Sequence, residues 1–110
     1  MREAMATAEV GDEQRREDPT TNRLQERVCE LLGTEAALFL PTGTMANQIS
    51  FRVHCRPGDE IIMERTAHAR NFESGGPAAL SGSNAEIIEG QAGMFTANQL
   101  EAAIRGGDNH

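Results

Sequence analysis

The feature that most constrains the fold of this chain is an alternation between short apolar runs and segments with helical spacing. The apolar runs have the length of strands and cover residues 36–40 (AALFL), 60–64 (EIIME) and 85–89 (AEIIE). The segment after the first run has Met45, Ile49 and Val53 four residues apart, as on one face of a helix. Strands that alternate with helices pair in parallel through right-handed crossovers. The sequence therefore predicts an α/β protein with a parallel-rich sheet and flanking helices.

Capping residues predict where the helices begin and end. For the first long helix, Asp18 is a favourable N-cap, Pro19 suits the first helical position, and Gly33 suits the left-handed residue after the last turn. We expect four further helical segments: a short helix within residues 2–9, a helix from Thr44 that ends before Pro57, a broken helix over residues 67–81, and a last helix that is capped by Thr96 and ends at Gly106-Gly107.

Charge and cysteine content exclude several classes of function. The net charge is −7, with 17 acidic and 10 basic residues, so a nucleic-acid partner is not expected. All basic residues except the histidines are arginine, and the sequence contains no lysine. The two cysteines, Cys29 and Cys55, form no C-x-x-C pair, and we interpret them as small, partly buried apolar residues in a reducing compartment. No apolar segment has the length of a signal peptide or of a membrane span, so we expect a cytoplasmic protein without a membrane partner.

The stretch LFLPTGTMANQ, residues 38–48, is the first candidate site. Ligands of open parallel sheets collect beyond the carboxyl ends of the strands, and Gly43 and Thr44 follow the first predicted strand. A helix N-terminus there favours a phosphate, to which Gly43 gives close access and Thr44 adds a hydroxyl. A turn glycine beside an N-cap, either Thr42 or Thr44, would give the same pattern. The stretch lacks the lysine of a Walker loop and the spacing G-x-G-x-x-G, which disfavours a nucleotide site.

His68 is the second candidate, because it follows the predicted strand 60–64 and so lies at the same edge of the sheet. A histidine at that position can stack on an aromatic ligand or transfer a proton, and it can equally be an ordinary surface residue. His54 precedes Pro57 at a predicted helix end, where an imidazole stabilises the helix dipole, so we assign it a structural role. No residues have the spacing of a metal site or of a Ser-His-Asp set.

Five segments of the chain share order and spacing with one known family. They read MREAMATAEVGDE, EDPTTNRLQERVCELLGTEAALFLPTGTMANQ, RPGDEII, AHARNFESGG and AAIR…DNH. Together they resemble the N-terminal part of threonine aldolases, in the group of aldolases and aromatic amino acid β-eliminating lyases. These are fold-type I enzymes that use pyridoxal 5′-phosphate (PLP). The resemblance implies that residues 1–110 are part of the large domain of such an enzyme, truncated at both ends relative to the family.

The resemblance also implies an activity and a site. Members cleave β-hydroxy-α-amino acids such as threonine into glycine and an aldehyde, and the complete enzyme is expected to be a homo-oligomer. By this resemblance Gly43, Thr44 and Met45 line the phosphate of PLP. His68 then lies over the pyridine ring, where it holds the cofactor and assists proton transfer as a catalytic residue.

Three departures from the family pattern limit this assignment. Arg15-Arg16 replace a Tyr-Gly pair that precedes EDPT, and residues 69–71 (ARN) replace aromatic residues after the histidine. PLP chemistry also needs a lysine amine, which this sequence does not contain. We therefore expect the chain alone to be inactive. Two alternatives stay open: a non-catalytic chain that binds a phosphate ligand or a partner subunit, and part of another fold-type I β-eliminating lyase.

Overall fold

The structure is a computed structural model that describes residues 1–104. The chain divides into two compact units, of which the first covers Met1–Pro41 and the second begins at Thr42. The first unit contains the helices α1 (Arg2–Ala6) and α2 (Pro19–Leu32), with a single 3₁₀ turn at Glu13–Arg15 between them.

Helix α2 begins and ends where its capping residues predict. Asp18 Oδ1 accepts the amide of Thr21 at 2.8 Å, and Asp18 Oδ2 accepts the amide of Gly11 at 3.1 Å. These two amides hold the pKa of Asp18 below its ordinary value. Gly33 has a φ of 67° and donates its amide to the carbonyl of Cys29, which closes the last turn. The predicted boundaries of this helix are confirmed.

The predicted strand over residues 36–40 is wrong. These residues are irregular, and no strand pairs with them in the described part of the chain. Instead, the amide of Phe39 donates to Gln25 Oε1 of α2 at 2.8 Å, and the side chains of Leu38 and Phe39 are exposed. An apolar run becomes a strand only when a neighbouring strand accepts its backbone hydrogen bonds. As a consequence, Gly43 does not follow the end of a strand.

The second unit contains the strands β1 (Glu60–Glu64) and β2 (Asn84–Ile88), which pair in parallel. The register sets Glu60 opposite Asn84 and Glu64 opposite Ile88. Met63 and Ile88 are buried, which places the small core of this unit at the carboxyl ends of the two strands. The α/β class with parallel pairing and flanking helices is confirmed, and it suits part of a fold-type I large domain.

Up to residue 104, four helices accompany this sheet: α3 (Gly43–His54), α4 (His68–Asn71), α5 (Gly76–Ser81) and α6 (Ala97–Ala103). The predicted break within residues 67–81 is confirmed between α4 and α5, where Gly75 has a φ of 72°. Helix α3 packs against α5, while α6 packs against β2. His54 is the last residue of α3, as predicted.

The capping box that starts α6 is also present, since Thr96 and Gln99 exchange side-chain and backbone hydrogen bonds. Helix α6 ends at Ala103, and the predicted end at Gly106-Gly107 lies outside the described residues. Cys29 and Cys55 are free and half-buried. Within residues 1–104, no helix combines the length and the apolar character that a membrane span requires.

Candidate functional site

The N-terminus of α3 has two amides available to a ligand. Thr42 is the N-cap: its hydroxyl oxygen accepts the amide of Met45 at 3.1 Å, and its carbonyl accepts the amide of Ala46. The amides of Gly43 and Thr44 make no hydrogen bond within residues 1–104. The space beside Gly43 is open, because none of the described atoms lies within 4 Å of the position that a Cβ would take there. The cap and the open N-terminus therefore coexist.

A shallow apolar cleft of about 530 Å³ lies along the same part of α3. It is lined by Thr44, Met45 and Ile49 of α3 and by Leu80 of α5, among others. Met45 thus lines this cleft, while its amide already donates to the N-cap hydroxyl of Thr42. Of the three residues predicted to line a phosphate, Gly43 and Thr44 offer hydrogen-bond donors and Met45 offers apolar surface.

His68 is the first residue of α4 and lies on the surface, where its ring contacts two neighbouring side chains. Its side chain is 65% exposed, and its Nδ1 lies 2.9 Å from Glu73 Oε1. The ring also contacts Phe72, with the ring centroids 5.3 Å apart and the planes tilted by 42°. The imidazole therefore has one nitrogen engaged while much of the side chain remains open to solvent.

Glu73 is the residue of this region that sequence reasoning missed. Its side chain is fully buried, although a carboxylate is costly to bury unless donors surround it. Asn47 Nδ2 donates to Glu73 Oε1 at 2.7 Å, and Gln48 Nε2 donates to Glu73 Oε2 at 2.5 Å. The amide of Asn47, followed by His68 and then Gln48, lowers the pKa of Glu73, while burial opposes them. Glu73 is thus held as a carboxylate with three hydrogen-bond partners.

Glu73 also joins the two predicted parts of the site. Asn47 and Gln48 lie one turn after Gly43 on α3, and His68 begins α4, the helix that follows β1. Through the carboxylate of Glu73, the first turns of α3 and the imidazole of His68 become one hydrogen-bonded cluster. Glu73 lies 26 positions from Asn47 and 25 from Gln48, so no periodic pattern could have indicated it.

A glycine completes the cluster. A Cβ on Gly76 would lie only 2.5 Å from the side-chain amide carbon and oxygen of Gln48. The missing side chain therefore makes the room in which Gln48, a residue only 8% exposed, turns its amide towards Glu73. The Gly-Gly pair after Glu73, predicted only as a helix break, is the one sequence signal that could have pointed to this close packing.

A second buried carboxylate, Glu64, shapes the turn between β1 and His68. It ends β1 and accepts both the amide and the hydroxyl of Thr66. The hydroxyl of Thr66 is the largest cause that lowers the pKa of Glu64, and the amides of Thr66 and Gly90 add to it. These bonds fix the turn over residues 64–66, two residues before His68.

Comparisons with known proteins find a matching family model and several similar proteins. A family model described as beta-eliminating lyase matches residues 1–110. A probable low-specificity L-threonine aldolase of Arabidopsis thaliana is 42% identical over 114 residues, which cover 100% of this chain and 32% of that protein. A low specificity L-threonine aldolase of Escherichia coli O157:H7 is 42% identical over 111 residues, covering 100% of this chain and 33% of its own length. An uncharacterized protein of Caenorhabditis elegans is 45% identical over 111 residues, again 100% of this chain and 27% of that protein. The chain spans 27% to 33% of the length of these relatives.

Proposed function

The chain belongs to the beta-eliminating lyase family, as its motifs predict, and on this premise we propose that it is the part of a PLP-dependent threonine-aldolase-like lyase that binds the phosphate of the cofactor. The complete enzyme would cleave β-hydroxy-α-amino acids into glycine and an aldehyde. The names of the relatives favour aldol cleavage over β-elimination. The observation that carries the proposal is the linkage, through Glu73, between the open N-terminus of α3 and the imidazole of His68.

The residues present fit two parts of PLP. The free amides of Gly43 and Thr44, together with the Thr44 hydroxyl, suit an anionic phosphate at the positive end of α3. The exposed imidazole of His68 suits an aromatic ring stacked on its face. When bound, the cofactor would supply an electron sink for the bond that breaks. This chain would bind the phosphate, orient the ring and hold a proton at His68.

The sequence has no lysine, so the residue that binds PLP covalently is not among these 110. We therefore propose that the chain by itself does not turn over substrate. Purified protein of verified mass, incubated with PLP and with threonine or allo-threonine, should form no glycine above the level of a protein-free control. Glycine production that scales with the concentration of this protein would contradict the proposal.

Binding of PLP tests the site directly. We expect saturable binding, measured by the absorbance of the cofactor and weakened by inorganic phosphate. Thr44→Val should weaken it by about tenfold, because it removes a hydrogen bond to a charged group. Thr34→Val, an exposed position in the first unit, is the matched control and should leave the affinity unchanged. Equal affinity of both variants would contradict the assignment of Thr44.

The lysine-free sequence also favours a second candidate function, a non-catalytic chain that binds a phosphate-bearing ligand. Borohydride reduction of the PLP complex, followed by mass mapping, should give an adduct at the N-terminal amine at most. If inorganic phosphate or a simple phosphate ester binds as tightly as PLP, the pyridine ring of PLP contributes nothing to the affinity, and this second function is favoured. Tighter binding of PLP, lost in His68→Ala, favours the lyase assignment.

A further inference from the structure

We propose that Glu73 is the positioning residue of His68: its carboxylate keeps the imidazole hydrogen on Nδ1 and so leaves the lone pair on Nε2 for a ligand. Only the identity of that ligand rests on the function proposed above. The position of the hydrogen is a property of this chain and can be measured without PLP.

The chemistry of the partners fixes the direction of the hydrogen bond. An ionised carboxylate has no hydrogen to donate, so the contact of 2.9 Å between Nδ1 and Glu73 Oε1 requires Nδ1 to be the donor. The amides of Asn47 and Gln48 lower the pKa of Glu73 and so favour its ionised form. A neutral imidazole that carries its hydrogen on Nδ1 has its lone pair on Nε2.

The carboxylate is itself held in one place. Asn47 and Gln48 are neighbours on α3, and each donates to a different oxygen of Glu73. The amide of Gln48 occupies the space that a side chain on Gly76 would take, since a Cβ there would lie 2.5 Å from the amide carbon and oxygen. The opposite orientation of the Gln48 amide would set its oxygen against the carboxylate. Helix α3 therefore fixes Glu73, and Glu73 in turn fixes the ring of His68.

The free nitrogen is the one that a ligand can reach. Nε2 makes no hydrogen bond within the described residues, and the side chain of His68 is largely exposed. Phe72 lies beside the ring, with the two ring centroids 5.3 Å apart. When Nε2 takes a proton, its lone pair forms the new N–H bond, and the donor keeps the electrons of the bond that breaks. The positive charge on the ring then faces the Glu73 carboxylate across 2.9 Å.

Nitrogen NMR of the imidazole ring tests the proposal on the wild-type chain. Long-range ¹H–¹⁵N correlation spectra, recorded where the ring is neutral, distinguish a protonated nitrogen from one with a lone pair. The chain has three histidines, and His68→Gln identifies the signals of His68 by their loss. We expect the Nδ1–H form to exceed the Nε2–H form by about tenfold or more, as for a hydrogen bond to a charged group. A majority of the Nε2–H form would overturn the proposal.

Variants of Glu73 separate positioning from simple structural support. Glu73→Gln keeps the shape but removes the charge, so the tautomer ratio should fall several-fold towards equality. Glu73→Asp keeps the charge and should restore part of the preference. Glu30→Gln, an exposed carboxylate in the first unit, is the control and should leave the ratio unchanged. A folded Glu73→Gln variant with the wild-type ratio would overturn the proposal, whether or not the chain binds PLP.

Discussion

Glu64 and Glu73, the two buried carboxylates in the described part of the second unit, have the same chemistry but take their hydrogen-bond partners from different distances along the chain. They are 6% and 5% exposed, and hydrogen bonds hold the pKa of each below its ordinary value of 4.5. Glu64 is bonded within its own turn, to Thr66 two residues ahead, and to the loop after β2. Glu73 takes its donors from α3, 25 and 26 positions away, and from His68. One carboxylate thus fixes a backbone turn, and the other fixes a side chain.

Acidification should have the largest effect, because it acts on both carboxylates at once. A carboxyl group with a lowered pKa in the folded state binds its proton later than in the unfolded state as the pH falls. Its stabilisation is therefore complete above pH 4.5, the ordinary value, and is lost as the pH falls through the lowered pKa. The free energy of unfolding should decrease steeply below that value. Urea denaturation followed by circular dichroism measures it, since the chain has no Trp or Tyr.

Single variants measure the share of Glu64 and of Glu73 in this acid sensitivity, to which Asp18, whose pKa is also lowered, contributes separately. Glu64→Gln and Glu73→Gln should each make the pH dependence shallower, and the double variant should be the shallowest. The two reductions should add, because the two clusters share no hydrogen-bond partner within the described residues. If a folded single variant keeps the wild-type slope, its carboxylate does not contribute in the way the structure indicates.

Each of the two carboxylate clusters includes a glycine, and replacing each glycine with alanine should lower the free energy of unfolding by different amounts. A Cβ on Gly90 would lie 2.5 Å from Glu64 Cγ and 2.5 Å from the carbonyl oxygen of Met94. Because a backbone carbonyl cannot rotate away, Gly90→Ala should lower the free energy of unfolding by about 1–3 kcal/mol. The Cβ of Gly76→Ala would meet only the end of the Gln48 side chain, so its cost should be smaller.

The NMR signals of His68 should distinguish Gly76→Ala from Gly90→Ala in the opposite order from their stabilities. Gly76→Ala displaces the amide of Gln48 and should weaken the Nδ1–H preference of His68, although it costs less stability. Gly90→Ala should leave that preference unchanged in the folded protein. Two results would contradict the roles given to Glu64 and Glu73. One is a larger loss of stability in Gly76→Ala than in Gly90→Ala, and the other is a tautomer ratio of His68 that responds to Gly90→Ala alone.

The same contrast explains what the sequence predicts and what it does not. The caps at Asp18, Gly33 and Thr96 are confirmed because each acts on amides or carbonyls within four residues of itself. The strand over residues 36–40 is wrong because strand formation depends on a distant partner that the apolar run does not specify. Glu73 was missed for the same reason, since two of its donors come from a helix far away in sequence. Gly43, Thr44, Met45 and His68 stay a predicted site, whose geometry permits the binding proposed here.

Removing the N-cap of α3 should have a small and selective effect on the cluster around Glu73. Thr42→Ala removes the oxygen that accepts the Met45 amide and should cost about 1 kcal/mol, as N-cap losses do. Thr96→Ala removes the equivalent cap of α6 and is the matched control at a similar cost.

Only Thr42→Ala should affect Glu73, because Asn47 and Gln48 lie on α3, while α6 donates no hydrogen bond to that carboxylate in the described chain. We therefore expect Thr42→Ala to shift the ring signals of His68 slightly and Thr96→Ala to leave them in place. Equal shifts in both variants would mean that His68 senses global stability rather than helix α3. Shifts confined to Thr42→Ala would establish that the helix proposed to hold the phosphate also orients the histidine.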